Sequence, residues 1–340
     1  MKIAVFGAGS IGCHLGGTLA GVAEVTLIGR PSVFDALRAE GLTLTGGGRP
    51  ETHVPAADLR LAQDAGAASG ADYVLVTVKS GATAHAAAEL AEAGGDAVVV
   101  SFQNGLRNAP VLREGLPGRT VLAGMVPYNV ARTAPAAFHQ GTSGRLMFDD
   151  GPHSAELVAA MRSAGLDVEA RGDMPGVQHA KLLMNLNNAV NALSGLPLRE
   201  QLGRRAYRAC LALCQREALA AFRAAGIRPS KMGPLPPGLM PAVLGLPDGL
   251  FRRLAASTLR VDAQARSSMS DDLRLGRPTE IAELQGEVVA LAGKHGAEAP
   301  VNARLAELVR EAEGTGTPRT WTGPDLLAEL KAAEANPRGG

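Results

Sequence analysis

A run with the character of a buried strand, Lys2-Ile3-Ala4-Val5-Phe6, passes straight into Gly7-Ala8-Gly9-Ser10-Ile11-Gly12, and a helical pattern opens at about Ser10. The G-x-G-x-x-G spacing alone is a weak signal in a chain holding 42 glycines. Between a strand and a helix, however, each glycine has a physical task. Gly7 permits a tight turn, Gly9 lets the backbone approach a pyrophosphate, and Gly12 lets helix and strand pack closely. The helix N-terminus then offers free N–H groups and partial positive charge to an anion. Gly7, Ala8, Gly9, Ser10, Ile11 and Gly12 are therefore expected to cradle a dinucleotide, the rival reading being a strand-to-helix turn that holds nothing.

The next strand-like run indicates which nucleotide suits this cradle. Enzymes that use NAD usually end that strand with Asp or Glu to hold the ribose 2′-hydroxyl. Here Glu24-Val25-Thr26-Leu27-Ile28 ends in Gly29-Arg30, with Ser32 two residues on. Arg30 offers a forked cation to a 2′-phosphate, and no carboxylate stands there to repel it. NADPH is the expected cofactor; the plainer alternative is a solvated loop arginine. Lys79 closes VTVKS and Asn104-Gly105 follows AVVVSF, both at the carboxyl ends of expected strands, where doubly wound sheets bind ligands. Lys79 fits a cofactor contact or a surface cation equally. Asn104 fits an ordinary Asn-Gly turn, or an amide beside nicotinamide and substrate.

Strand-like runs at 2–6, 24–28, 72–79, 97–102, 121–130 and 144–149 alternate with helical stretches. That alternation marks a parallel sheet covered by helices, and continuous apolar runs suit strands buried on both faces. From about residue 174, MPGVQHAKLLMNLNNAVNALSG, AYRACLALCQREALAAFRAAG and PTEIAELQGEVVALAGKHG carry helical periodicity with glycine stops. At 340 residues two domains are the natural division. The expected fold is α/β: an N-terminal Rossmann doubly wound sheet over 1–173 that binds NADP, then an all-helical C-terminal domain over 174–340 for substrate and catalysis. A Pro- and Gly-rich stretch, Gly226 to Asp262, is too irregular for a long helix, and the tail from Thr315 reads as a helix before a frayed PRGG end.

Bulk properties remove several function classes. Lys and Arg number 34 against 33 Asp and Glu, a net charge of +1 that leaves no electrostatic footprint for nucleic acid. No apolar run nears the ~18 residues that cross a bilayer, and no secretory leader opens the chain, so a cytoplasmic protein without membrane contact is expected. Cys13, Cys210 and Cys214 form no disulfide framework, and no further His or Cys follows the last two at ligand spacing. They read as small buried residues, with no metal.

The helical pattern over 177–193 holds the most informative side chains. Leu182, Leu183, Leu186, Val190 and Leu193 share one broad face, while Lys181, Asn185 and Asn188 stack on another at i, i+4 and i+7. Asparagines at 185, 187, 188 and 191 are unusual, since each costs up to ~0.7 kcal/mol against Ala in a helix interior. A neutral, amide-rich face with one lysine points to a polar cleft; a solvent face is the alternative. A second distinctive stretch runs Ser267-Ser268-Met269-Ser270-Asp271-Asp272, then Gly276-Arg277-Pro278-Thr279-Glu280-Ile281. Thr279 reads as an N-cap with Glu280 in the first turn, a place that the helix dipole alone favours for glutamate.

These pieces together resemble the ketopantoate reductase family (2-dehydropantoate 2-reductases) over nearly the whole chain. The resemblance rests on KIAVFGAGSIG, VTVKS, SFQNG, AKLLMNLNNAV and, most specifically, SSMSDDLRLGRPTEIAELQGEVV. It implies NADPH, a small 2-oxo acid as the partner molecule, and reduction of ketopantoate to pantoate, as in pantothenate biosynthesis; a homodimer is compatible with it. It further implies that Lys181 is the catalytic lysine and Glu280 its companion glutamate. Asn104 would stand beside the nicotinamide, Asn185 and Ser268 would bind substrate, and Arg30 and Lys79 would contact the cofactor. Glu280 would help keep the proton on Lys181. Well-known members carry an asparagine eight residues after the lysine, followed by proline, and another three residues before the second serine. Here those positions are Ala189, followed by Val190, and Ala265, with Asn188 one place early as the remaining substrate-binding amide. Another 2-oxo acid or an imine is the alternative substrate. A non-catalytic NADP(H)-binding sensor is the alternative function, against which the presence of both Lys181 and Glu280 counts.

Overall fold

A computed structural model of the chain describes residues 1–254, 262, 264–315 and 319–336. They fall into two compact units, Met1–Met174 and Pro175–Gly340.

The first unit contains β1 (Lys2–Phe6), β2 (Glu24–Ile28), β3 (Leu42–Gly46), β4 (Thr52–Val54), β5 (Arg60–Ala62), β6 (Tyr73–Val76), β7 (Val98–Ser101), β8 (Val121–Met125), β9 (Val130–Ala134), β10 (Ala137–Gln140), β11 (Leu146–Asp149) and β12 (Val168–Arg171). Eight of them form one sheet in the order β12-β11-β8-β7-β6-β1-β2-β5. From β5 to β8 the neighbours run parallel, and β11 then turns antiparallel against β8. This is the doubly wound arrangement. The strand order reverses at β1, which has β2 on one side and β6 on the other, so a ligand crevice opens at their carboxyl ends.

Apolar runs on both faces fix these central strands. Ile3 and Val5 point into one core with Leu15, Leu19, Phe34 and Leu37. Ala4 and Phe6 point into the other with Val74, Val76, Ala86 and Leu90. Burying each large aliphatic side chain contributes about 1.5–3 kcal/mol, so a one-residue slip of register would be costly throughout.

A second, four-stranded sheet has the order β4-β3-β10-β9 and is not announced by the sequence pattern. The expected strand 121–130 accordingly ends at Met125, and Val130 opens β9. The expected runs 72–79 and 97–102 shorten to Tyr73–Val76 and Val98–Ser101, which leaves Lys79 and Asn104 in the loops just past the strand ends.

The second unit holds no strand among the described residues, and no described helix is long and apolar enough to cross a membrane. The single helix expected over 177–193 is two, Met174–Asn185 and Asn187–Ser194, meeting at Leu186. The helix Arg205–Ala224 buries Tyr207, Cys210, Leu211, Cys214, Ala218 and Phe222, a stripe of helical period that packs the unit's core. Cys13, Cys210 and Cys214 are all buried free thiols.

The Pro- and Gly-rich stretch contains two short helices, Met240–Leu244 and Asp248–Leu254. It is held by Arg208, whose buried guanidinium donates to the carbonyls of Leu202, Leu244 and Leu246 and pairs with Asp248 at 2.9 Å. Residues 255–261 of that stretch, and the frayed end expected at 337–340, lie outside the described residues.

Candidate active site

In the first unit the loop after β1 has the shape its glycines require. Gly7 sits at φ +116°, and a Cβ there would lie 2.8 Å from the Val78 nitrogen. A Cβ on Gly12 would come within 2.0 Å of the Gly7 carbonyl oxygen. Gly9 is different: its φ of −84° suits any residue, and a Cβ there would meet nothing within 4 Å. The fold does not need glycine at 9, and the open space above it is what a pyrophosphate would fill. Gly9 also begins the helix Ser10–Leu19 without any side-chain cap, so the first N–H groups of Ser10 and Ile11 remain available to an anion. These residues fit a dinucleotide.

The cradle is tied to both neighbouring strands. Gly7 and Ala8 donate their N–H groups to the Ile28 carbonyl at 2.9 and 3.0 Å. The Thr77 hydroxyl donates to the Gly7 carbonyl at 2.7 Å. A Cβ on Gly29 would lie 2.6 Å from that of Ala8, so only glycine lets the end of β2 lie against the loop. The next residue, Arg30, is exposed and opens the helix Pro31–Glu40, which sets its guanidinium and a second helix N-terminus at the carboxyl end of β2. Past β6, Lys79 is exposed; past β7, Asn104 is half-buried.

In the second unit the break at Leu186 organises the amide-rich segment. The Leu183 carbonyl accepts from Gln215 Nε2 at 3.0 Å and the Leu186 carbonyl from Gln285 Nε2 at 2.9 Å, both from buried glutamines. The asparagines divide into two pairs. Asn187 exchanges two hydrogen bonds of 3.1 Å with Gln201, and Asn191 accepts from the Ser267 N–H at 2.9 Å, so these two serve the scaffold. Asn185 shares the helix Met174–Asn185 with Lys181, whereas Asn188 lies beyond the break, on the helix Asn187–Ser194. Ser267, which opens the distinctive stretch but has no role of its own in the sequence reading, caps the helix Ser268–Arg274 and donates its hydroxyl to the Asn188 carbonyl at 3.2 Å. It thereby ties Ser268, itself exposed, to the amide-rich segment. Asp272 is buried and pairs with Arg277 at 3.2 Å, closing the turn that leads to Glu280.

Glu280 occupies the N-cap of the helix Ile281–Lys294, one residue later than the expected boundary; the Thr279 hydroxyl still accepts the Ile281 N–H at 3.3 Å. That helix is joined through Gln285 to the break at Leu186 that follows the Lys181 helix. Burial draws the Lys181 ammonium down from 10.5 to about 8. Desolvation disfavours the charged form of a lysine, and it governs Lys181 here. Among the described residues no cluster of three or more His, Cys, Asp or Glu is placed to hold a metal ion.

This geometry agrees with what the chain resembles. The family model described as ketopantoate reductase PanE/ApbA matches residues 3–153, and its C-terminal companion matches residues 173–313. The chain belongs to the ketopantoate reductase family. It is thus an oxidoreductase of a pyridine-nucleotide-dependent family. A 2-dehydropantoate 2-reductase from Halobacterium salinarum is 31% identical over 332 residues, covering 93% of this chain and 100% of the relative. The crystal structure of a PanE/ApbA family ketopantoate reductase from Ralstonia eutropha superposes with a TM-score of 0.79 at 31% identity, over 93% of this chain and 99% of the other. A D-mandelate dehydrogenase in complex with NADH and anilino(oxo)acetate has a TM-score of 0.77 at 19% identity over 93% and 99% of the two chains, a likeness of fold alone.

In this family setting Arg30 makes a direct prediction. A charge-assisted hydrogen bond is worth about 1.5–3 kcal/mol, so Arg30→Ala is expected to weaken NADPH by roughly 10–150-fold while NADH changes only a few-fold. Fluorescence titration of both nucleotides checks this. Equal affinity of the unmutated protein for NADH and NADPH would contradict it.

Proposed function

We propose that the chain reduces a 2-oxo acid to the 2-hydroxy acid with NADPH in the cytoplasm, and that the acid is 2-dehydropantoate, yielding pantoate for pantothenate biosynthesis. The observation that carries the reading is Lys181. A lysine drawn to about 8 lies one turn before Asn185 on the same helix, with Asn188 just past the break at Leu186, in a chain whose other unit has a glycine loop that fits a dinucleotide. Bound NADPH supplies the hydride. Lys181 stabilises the charge that grows on the carbonyl oxygen and delivers the proton there, as a general acid whose pKa lies near the working pH does best. Asn185, Asn188 and Ser268 fix the carboxylate and hydroxyl of the substrate by hydrogen bonds. Glu280 orients the lysine or holds a substrate hydroxyl. Lys79 and Asn104 meet the cofactor, Asn104 aligning nicotinamide and carbonyl. A ketopantoate reductase of the same fold from Staphylococcus aureus is dimeric, and a homodimer is the assembly proposed for this chain.

A second reading, reduction of a different 2-oxo acid, is favoured by one observation. Ala189 and Ala265 stand where well-known members have asparagine, and Ala189 is fully buried, so that amide has no replacement at its own position. Initial rates with ketopantoate beside benzoylformate and pyruvate separate the two readings. The first expects the highest kcat/KM with ketopantoate; a clear preference for benzoylformate would establish the second.

The lysine also sets the pH dependence. Reduction needs the ammonium form, whose fraction falls tenfold per pH unit above a pKa of about 8. The expected profile of kcat/KM, which reports the free enzyme, is flat on the acid side and falls as pH rises through about 8. A rate that stays level well into the alkaline range, where Lys181 is neutral, would show that its proton is not used.

A further inference from the structure

The loops carrying Lys79 and Asn104 leave neighbouring parallel strands, and each leads at once into a crossover helix, Thr83–Ala93 and Asn108–Gly115. Beneath the two loops runs a line of polar side chains. Ser101 donates its hydroxyl to Gln103 Oε1 at 2.9 Å. Gln103 Nε2 donates to the Val78 carbonyl at 2.9 Å and to Thr83 Oγ1 at 2.8 Å. The Thr83 hydroxyl donates to Asn108 Oδ1 at 2.7 Å, and Asn108 Nδ2 donates to Ser80 Oγ at 3.1 Å and to the Asn104 carbonyl. The Ser80 hydroxyl donates to that same carbonyl at 2.9 Å.

Ser101, Gln103, Thr83 and Asn108 are 2%, 8%, 2% and 5% exposed. One branch, from Gln103, ends on the Val78 carbonyl, and the remaining donors lead to one backbone oxygen, that of Asn104. A satisfied buried network of this kind adds little net stability over apolar packing, but it admits one arrangement of its members and excludes others. Its members are the first residues of the two crossover helices and the loop residues between them, so what it fixes is the relation of one strand end to the next. The phosphate cradle makes its own hydrogen bonds with Ile28 and Thr77, and meets the network only where Val78 lies against Gly7.

We infer that Gln103, Thr83, Asn108 and Ser80 are positioning residues that hold the backbone at Asn104, and through it the Asn104 amide, for the nicotinamide half of the cofactor. The inference rests on the reading of the first unit as an NADPH site and extends it to groups that touch neither cofactor nor substrate. Because the cradle's own hydrogen bonds, from Gly7 and Ala8 to Ile28 and from Thr77 to Gly7, involve no member of this network, loss of the network at Thr83 or Ser80 separates the two halves of the cofactor.

The test is a pair of binding titrations on the full chain, with NADPH and with 2′-phospho-ADP-ribose, which keeps every phosphate and lacks the nicotinamide. Thr83→Val keeps the side-chain shape and removes the hydroxyl. It is expected to weaken NADPH about tenfold while 2′-phospho-ADP-ribose stays within about twofold. Thr83→Ser, which restores the hydroxyl, should return NADPH to within about twofold of normal. Ser80→Ala acts at the half-buried end of the line, where no core packing is lost, and should shift NADPH about threefold in the same selective way. Equal weakening of both compounds would reduce the network to a purely structural role. Unchanged NADPH affinity in folded Ser80→Ala and Thr83→Val would overturn the inference while leaving the cofactor site standing. An unmutated chain that binds neither compound would overturn the cofactor reading itself, and this inference with it.

Discussion

Replacing Lys181 with alanine lowers kcat with the best 2-oxo acid by roughly 10²–10⁴, the scale of a lost general acid, and leaves NADPH affinity within a few-fold of normal. The asymmetry follows from where the groups stand. The residues expected to cradle the phosphates, Gly7 to Gly12 and Arg30, belong to the first unit, whereas Lys181 lies on the helix Met174–Asn185. Its value to the reaction comes from the same burial that moves it to about 8: a desolvated ammonium both feels a developing oxyanion strongly and parts with its proton readily. Lys181→Arg separates these contributions. An arginine keeps the charge at any accessible pH but is too weak an acid to deliver the proton. A low rate without the limb near pH 8 is expected for that variant. Steady-state kinetics together with an NADPH titration check both substitutions. A Lys181→Ala enzyme turning over within a few-fold of normal would return the residue to the role of an ordinary helix-face lysine.

The second large effect is expected at Gly9. Gly9→Val should leave the fold intact and abolish useful NADPH binding. Backbone conformation gives no reason for glycine there, and a Cβ would meet no protein atom within 4 Å, so valine is accommodated by the chain itself. What it displaces is the pyrophosphate. Losing even two charge-assisted hydrogen bonds, at about 1.5–3 kcal/mol each, raises Kd by about 10²-fold or more. Gly12→Val is the informative contrast, because its Cβ would strike the Gly7 carbonyl and the turn itself would fail. Circular dichroism and thermal unfolding beside the titration distinguish the two. A folded Gly9→Val protein with normal NADPH affinity would mean that the motif is only a turn.

The features legible in the sequence are those that local chemistry dictates. Buried strands such as Ala4–Phe6 and Tyr73–Val76 read as apolar runs because both faces are covered, and the glycine turn reads because strand, spacing and helix coincide. The four-stranded sheet was hidden for the opposite reason. Its strands are short and partly exposed, and β3 pairs with β10 at Thr43 and Ala137, a contact that no local pattern encodes. The asparagines of 185–191 were legible as an anomaly but not in their division of labour. Asn187 and Asn191 find Gln201 and Ser267 only once the chain has folded. The roles of Ser267 and Thr77 are not legible in the sequence because hydroxyls at caps and strand ends are commonplace, and only their partners set them apart.

The most direct test of the whole account is to incubate the purified protein with ketopantoate and NADPH deuterated at C4 on the transferred face, and to analyse the product by mass spectrometry. The account predicts pantoate carrying one deuterium on C2, formed in step with NADPH oxidation and much more slowly in the Lys181→Ala variant. NADPH that is bound but never consumed, with ketopantoate and every other 2-oxo acid recovered unchanged, would contradict it.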